Sequence, residues 1–380
     1  MCKAIDGVFV SRPVVFAVGE SYHIMAVAEC EILFWADIGG KRYYDHSNGV
    51  LRSRRRAHRV IVPMSELDAH GGYTVCFRRV VERRAAFTKT GEAESLYFPF
   101  RPVPAEGPVN IYQIADSHQK PALPQKAAQF FGESLHLLIL NGDIFDFCDK
   151  EEDFDYLFRL AADVTHGEIP TVFAKGNHDN RGILAEKMEE YTPVRDGYSY
   201  YSFRLGRIWG LVLDCGENYD DDYSEYGNTV CHHDFRIEET SYIKRIIENR
   251  VSEYGAPGVS CRLIISHVAF TNVREKPMDI DIDLFREWTE LIKTHIKPHL
   301  MLSGHLHFTA VSFPGDALDT LGQPCPVVIG ANPVGWQTGI LTDFIGTALT
   351  LDGDKARIRF TDTECRVKEE YVIALTAPKA

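Results

Sequence analysis

The stretch Thr171-Val-Phe-Ala174-Lys175-Gly176-Asn177-His178-Asp179 decides how this chain is read. Its first four residues suit a short buried strand. The strand stops at Lys-Gly, and a carboxamide, an imidazole and a carboxylate follow in a row. Folding has no need of that row, but metal-assisted hydrolysis does.

The same event recurs on both sides of it. Val109-Asn-Ile-Tyr-Gln-Ile-Ala115 leads to Asp116-Ser-His118, and Leu137-Leu-Ile-Leu140 leads to Asn-Gly142-Asp143-Ile-Phe-Asp146. Later apolar runs lead to Asp214, to Ser266-His267 and to Ser-Gly304-His305-Leu-His307. Between them lie helical stripes: Ile243, Ile246, Ile247 and Val251, then Leu284, Phe285, Trp288, Leu291 and Ile292. Both stripes read as core faces. Asp352-Gly353 marks a hairpin and residues 371–375 a last strand. Strands alternating with helices define an α/β unit over residues 106–380, whose ligands bind beyond the carboxyl ends of the strands.

The first hundred residues have another texture. Six short strand candidates, beginning with Val8-Phe-Val10, are separated by Gly19-Glu, Gly39-Gly, Asn48-Gly and Gly71-Gly. That pattern predicts an all-β sandwich of immunoglobulin or fibronectin type over residues 1–105. Arg101-Pro-Val-Pro-Ala-Glu-Gly-Pro108 reads as the linker. The arginines at 52, 54, 55 and 56, and at 78, 79, 83 and 84, read as solvated hairpin positions.

The chain has 380 residues and a net charge of −13, spread unevenly. The first hundred residues balance at +3 and the rest at −16. No run of about eighteen apolar residues exists, so no membrane span is expected. The nine cysteines form no C-x-x-C pair, and their odd count argues against a complete disulfide framework. With no signal-like start, the expected location is cytoplasmic. The acidic catalytic half makes a nucleic-acid partner unexpected.

The donors are two carboxylates, four imidazoles and one carboxamide oxygen, with no thiolate: Asp116, His118, Asp143, Asn177, His267, His305 and His307. This set suits Mn, Fe or Zn. Asp116 and His118 are two apart, as are His305 and His307, so extended backbone would point each pair one way. Seven groups are too many for one open catalytic metal. They fit two divalent or trivalent ions about 3.5–4 Å apart. No Gly-x-Ser-x-Gly elbow, Walker loop or Gly-x-Gly-x-x-Gly motif offers a rival chemistry.

Asp-x-His, Gly-Asp-x-x-Asp, Gly-Asn-His-Asp, a strand-end His and Gly-His-x-His, in this order over residues 109–310, resemble the calcineurin-like metallophosphoesterases. The resemblance implies a central β-sandwich flanked by helices. It implies that Asp116, His118 and His307 hold one metal, that Asn177, His267 and His305 hold the other, and that Asp143 bridges them. His178 would bind phosphate or protonate the leaving oxygen, with Asp146 orienting it. The implied activity is hydrolysis of small phosphomonoesters or phosphodiesters by metal-bound hydroxide. The alternatives are a nucleotide or cyclic-nucleotide phosphodiesterase, or a non-catalytic scaffold. A β-sandwich ahead of such a domain is similar to the purple acid phosphatase arrangement. Those enzymes carry Tyr three residues after the bridging Asp, and this chain has Asp146 there.

Four weaker features have bland readings. Asp179 reads as a turn cap. Residues 217–222 and His232-His233 read as a solvated loop with a helix cap, or else as a pocket wall. Trp336 reads as packing, or else as a stacking surface for substrate. The remaining histidines fit no pair.

Overall fold

The computed structural model describes residues 7–272 and 280–375. Its largest sheet has ten strands. At its centre Val109–Ile114, Leu137–Asn141 and Pro170–Ala174 run parallel. On one side Asp343–Asp352, Lys355–Thr361 and Val367–Ala374 add antiparallel strands. On the other side the sheet continues into the first hundred residues. Val14–Val18 lies parallel to Pro170–Ala174, with Val15 opposite Pro170 and Phe16 opposite Thr171. Ser21–Val27 and Ala57–Pro63 then close that edge.

A second sheet of six strands carries Tyr201–Leu205, Ile208–Leu213, Cys261–Ser266, Leu300–Ser303, Val327–Ile329 and Ala310–Ser312. The two sheets pack through one face. Ile111, Ile139 and Val172 of the first meet Val212, Leu263, Ile265, Leu302 and Val328 of the second in one core. The alternate positions Leu138, Leu140 and Phe173 point outward onto helix Asp155–Thr165. On the far side Leu211, Ile264 and Met301 meet helices His232–Glu248 and Ile282–Leu291. The strands are therefore buried on both faces, which is why they read as unbroken apolar runs. This is the expected central β-sandwich flanked by helices.

The all-β region forms as expected, apart from one seven-residue helix, Met64–His70. Its strands, however, divide between two sheets. Ile32–Ile38, Lys41–Tyr44, Gly72–Glu82 and Glu94–Pro99 form a sheet of their own. That sheet packs on the extended edge of the ten-stranded one, so Phe34, Val75 and Phe77 share a core with Ile24, Val60, Ile111 and Leu263. Hydrogen bonding thus crosses the division near residue 105.

Two local expectations are corrected. Val8-Phe-Val10 is no strand, since only Phe9 makes a single bridge, to Ala28. Val251 is 75% exposed and lies past the end of its helix, because the helix stops at Glu248. All eight cysteines among the described residues are unpaired.

Phe16 is fully buried and sets its ring edge against Phe158. Phe16→Ala is expected to lower stability by about 3–5 kcal/mol. In urea, fluorescence and far-ultraviolet circular dichroism should shift together. A separate transition for the first hundred residues would sink the idea that the shared sheet makes them one folding unit.

Candidate metal centre

The carboxyl ends of the central strands of both sheets meet at one edge. Two buried amides tie the sheets together beneath it. Gln113 donates to the carbonyls of Ser303 and Gly330, and Asn141 donates to that of Leu302. The loops above are then laced by backbone. The N–H groups of Asp116, His118 and Gln119 donate to the carbonyls of Gly142, Asp143 and Ile144.

These loops are not extended. Asp116, His118, Asp143, His305 and His307 all have φ between 43° and 68°. The two-residue spacing therefore works through left-handed turns, and the alternation of a strand plays no part. Such backbone is costly for residues with a Cβ and clusters at functional sites. Two glycines permit the close approach. A Cβ on Gly176 would stand 2.3 Å from the Asp143 nitrogen, and one on Gly304 would stand 2.7 Å from Asp116 Oδ2.

The predicted residues converge. Asp116, His118 and His307 place ligand atoms within 4.8 Å of one another, as do Asp143, His267 and His305. His307 Nε2 lies 3.2 Å from Asp116 Oδ1 and 3.2 Å from His118 Nε2. Asn177 Oδ1 lies 2.9 Å from His305 Nδ1. His267 Nε2 sits between the carboxylates, 3.1 Å from Asp143 and 3.8 Å from Asp116.

These side chains fit metal ions. Asp116 and Asp143 are buried, and among the described residues no lysine or arginine pairs with either. His267 gives its Nδ1 proton to the Asn141 carbonyl at 2.6 Å, which leaves a lone pair on Nε2 facing two carboxylates. That buried nitrogen has no hydrogen-bond partner. The contact repels unless a cation lies between the groups or the ring takes a second proton. Burial opposes that proton, but Asp143 and Asp116 outweigh it and push His267 up to about 10. A metal ion relieves the same clash without the proton, and the Asn141 carbonyl orients the ring for it.

His178 stands at the rim of this cluster. Its backbone N–H donates to Asp143 Oδ1 at 2.8 Å, and its Nδ1 lies 3.0 Å from Asp146 Oδ1. Burial works against a charge on His178, but the bond to Asp146 and the field of Asp143 prevail and raise it. The His118 ring 3.7 Å away and the hydrogen bond with His178 hold Asp146 well below the usual carboxylate range. Asp146, three residues after Asp143, thus faces the His178 imidazole.

Asp179 is a clamp. Its carboxylate accepts from the backbone N–H groups of Asp143, Phe145 and Gly176, at 2.7–3.0 Å. Burial, then the nearby Asp143, push it up to about 7. The turn-cap reading agrees with this geometry.

Several neighbours escape a reading of the sequence. Arg181 holds Glu217 through two bonds, Nε to Oε1 at 2.6 Å and Nη2 to Oε2 at 3.0 Å, and turns Nη1 toward the His178 ring. The partners are 36 positions apart, so no local pattern marks them. Glu217 is 2% exposed, which overturns the solvated-loop reading for that residue. The helix-cap reading holds through Asp221, which accepts the N–H groups of His232 and His233. Trp336 stacks on the His118 ring at 3.9 Å, with Lys120 over its face at 4.6 Å. Asp214 stays outside the cluster and pairs with Lys175 at 3.0 Å. His232 is buried and belongs to none of the donor groups.

The sequence profile of the calcineurin-like phosphoesterases matches residues 109–308. No curated protein matches the chain. Among solved structures, a purple acid phosphatase from yellow lupin (Lupinus luteus) seeds is similar with a TM-score of 0.61 at 12% identity. The match covers 96% of this chain and 74% of that one. PhoD is similar with a TM-score of 0.55 at 11% identity, covering 97% of this chain and 89% of that one. At these identities the likeness is one of fold.

Asp179→Ala leaves three buried N–H groups without an acceptor, so stability should fall by about 3 kcal/mol or more. Metal affinity should fall about 10–100-fold, because the loop bearing Asp143 loses its clamp. Calorimetric titration of Mn or Zn checks this; unchanged affinity would limit Asp179 to a role in folding.

Proposed function

Since the chain belongs to the calcineurin-like phosphoesterase family, we propose that it is a dinuclear metal-dependent hydrolase of small phosphate esters, with Mn, Fe or Zn as its metals. Two carboxylates, four imidazoles and one carboxamide converging on one point carry this proposal. A scaffold would gain nothing from seven such donors, five of them held in costly backbone. Asp116, His118 and His307 would hold one ion, and Asn177, His267 and His305 the other, with Asp143 between them. When bound, the ions activate water and neutralise phosphate charge.

The remaining steps belong to the protein. Asn141 keeps His267 in the tautomer that presents Nε2. Asp143 takes the backbone N–H of His178 on Oδ1 and so fixes that ring beside the centre. His178 holds a proton on the ring nitrogen opposite Asp146 and gives it to the departing alkoxide. Asp146 keeps the ring aimed and stabilises its charge.

Among the described residues, the two arginine clusters of the first hundred residues are largely matched by acidic partners and are not gathered into a phosphate-reading patch. Arg52, Arg54, Arg55 and Arg56 pair with Asp45, Glu31, Glu190 and Asp155. Arg79, Arg83 and Arg84 pair with Glu94, Glu31 and Glu82. The substrate is therefore read as small. No described helix is long and apolar enough to cross a membrane.

Protein reconstituted with Mn, Zn or Fe should cleave an aryl phosphate, and chelation should abolish the activity. His178→Ala should cost about 100–10,000-fold on an alkyl ester and much less on an aryl ester, whose leaving group needs no proton. Absence of ester cleavage with all three metals defeats the hydrolase proposal. Equal losses on both esters defeat only the acid role of His178.

A further inference from the structure

One charged pair at the centre belongs to none of the five motifs. The Arg181 side chain is 17% exposed and that of Glu217 is 1% exposed. Glu217 Oε2 also accepts from the Tyr226 hydroxyl at 3.1 Å. Taking both charges out of water costs several kcal/mol per ion, and their mutual attraction often only breaks even. Stability alone is a weak reason to keep such a pair.

The guanidinium's donors show where it is aimed. Nε and Nη2 are taken by Glu217. Nη1 lies 3.3 Å from His178 Nε2 and 3.5 Å from His178 Nδ1. Nδ1 already has Asp146. With Nε and Nη2 held from behind by the buried carboxylate, Nη1 is the nitrogen turned toward the edge of the metal centre, within hydrogen-bond reach of the His178 ring. Planar, fixed donors of this kind match phosphate oxygens.

The surroundings leave room for an ester. Arg181 and Glu217 line a cleft of about 580 Å³, with Phe147, Ile183 and Tyr226 on its walls. The Phe147 ring on its wall has its centroid 6.5 Å from that of His178, so the cleft is next to that ring.

We infer that Arg181, fixed by Glu217, grips the non-bridging oxygens of the substrate's phosphoryl group and biases the site toward dianionic monoesters over diesters. This rests on the phosphoesterase proposal above and names the substrate class of that site. A monoester offers three non-bridging oxygens sharing two charges. A diester offers two oxygens and one charge, and its second organic group takes the third position. A charge-assisted donor therefore favours the monoester. Arg181 would touch substrate, whereas Glu217 is a positioning residue.

The test compares wild type, Arg181→Met, Arg181→Lys and Glu217→Gln, all metal-loaded. Each is assayed on an aryl phosphate and a bis-aryl phosphate, and each is titrated calorimetrically with inorganic phosphate. Arg181→Met should lose about 100-fold in kcat/KM on the monoester but under about 10-fold on the diester, and should bind phosphate at least about 10-fold more weakly. Arg181→Lys keeps the charge without the fork and should lose an intermediate amount. Glu217→Gln should shift the monoester preference the same way without matching the full loss. If Arg181→Met fails to fold, Arg181→Lys carries the comparison. Equal losses on both esters with unchanged phosphate affinity would show a purely structural ion pair and overturn the inference. If no ester is cleaved, phosphate affinity decides: a 10-fold drop keeps Arg181 as an anion grip while the hydrolase proposal falls, and an unchanged value overturns both.

Discussion

Two carboxylates with no lysine or arginine partner among the described residues, Asp116 and Asp143, set the terms for the rest of this molecule. Each is buried at the carboxyl ends of parallel strands, and each raises the other's cost of ionisation. An uncompensated buried charge costs several kcal/mol. What compensates here is a ring of imidazoles that are themselves nearly out of water. Imidazoles balance carboxylates only by taking protons or by sharing a metal. The site therefore asks for cations, and every nearby element either supplies a donor or holds one in place.

The backbone meets that demand at a local cost. Five of the seven donors sit in left-handed turns. Such turns persist because neighbours over-determine them. The Asp116 and Asp143 loops hydrogen-bond to each other, and Asp179 ties three N–H groups of the Asp143 and Asn177 loops to one carboxylate. His305 N–H donates to the Asp116 carboxylate at 3.0 Å, which links the last motif to the first across 189 positions. The protein's own hydrogen bonds thus hold these donor-bearing loops against one another.

The donors themselves were legible because each follows a strand whose burial on both faces leaves an unbroken apolar run. Their convergence was legible only as a consequence of strand ends meeting. How Asp116 and His118 turn toward one centre was not legible: left-handed backbone at aspartate and histidine has no signature in composition. Arg181 and Glu217 stayed hidden for a different reason. Glu217 sits among acidic residues, and that setting suggests solvent, whereas a partner 36 positions away draws it inside. The first hundred residues repeat the lesson. Their strands follow from local alternation, but nothing local says that Val14–Val18 pairs with Pro170–Ala174.

That pairing bears on the site. Pro170–Ala174 is the strand whose end carries Asn177 and His178, and it is hydrogen-bonded to Leu137–Asn141 on one side and to Val14–Val18 on the other. Without the amino-terminal strands it would be the exposed edge of a parallel sheet, a position that such sheets cover. Edge strands also sit at the weaker end of a protein's stability. The amino-terminal region therefore converts the strand beneath Asn177 and His178 from an edge into an interior strand. Its contribution to the site is rigidity, delivered through backbone hydrogen bonds and the shared core around Val15, Ile111 and Val172. None of its described residues belongs to the donor groups.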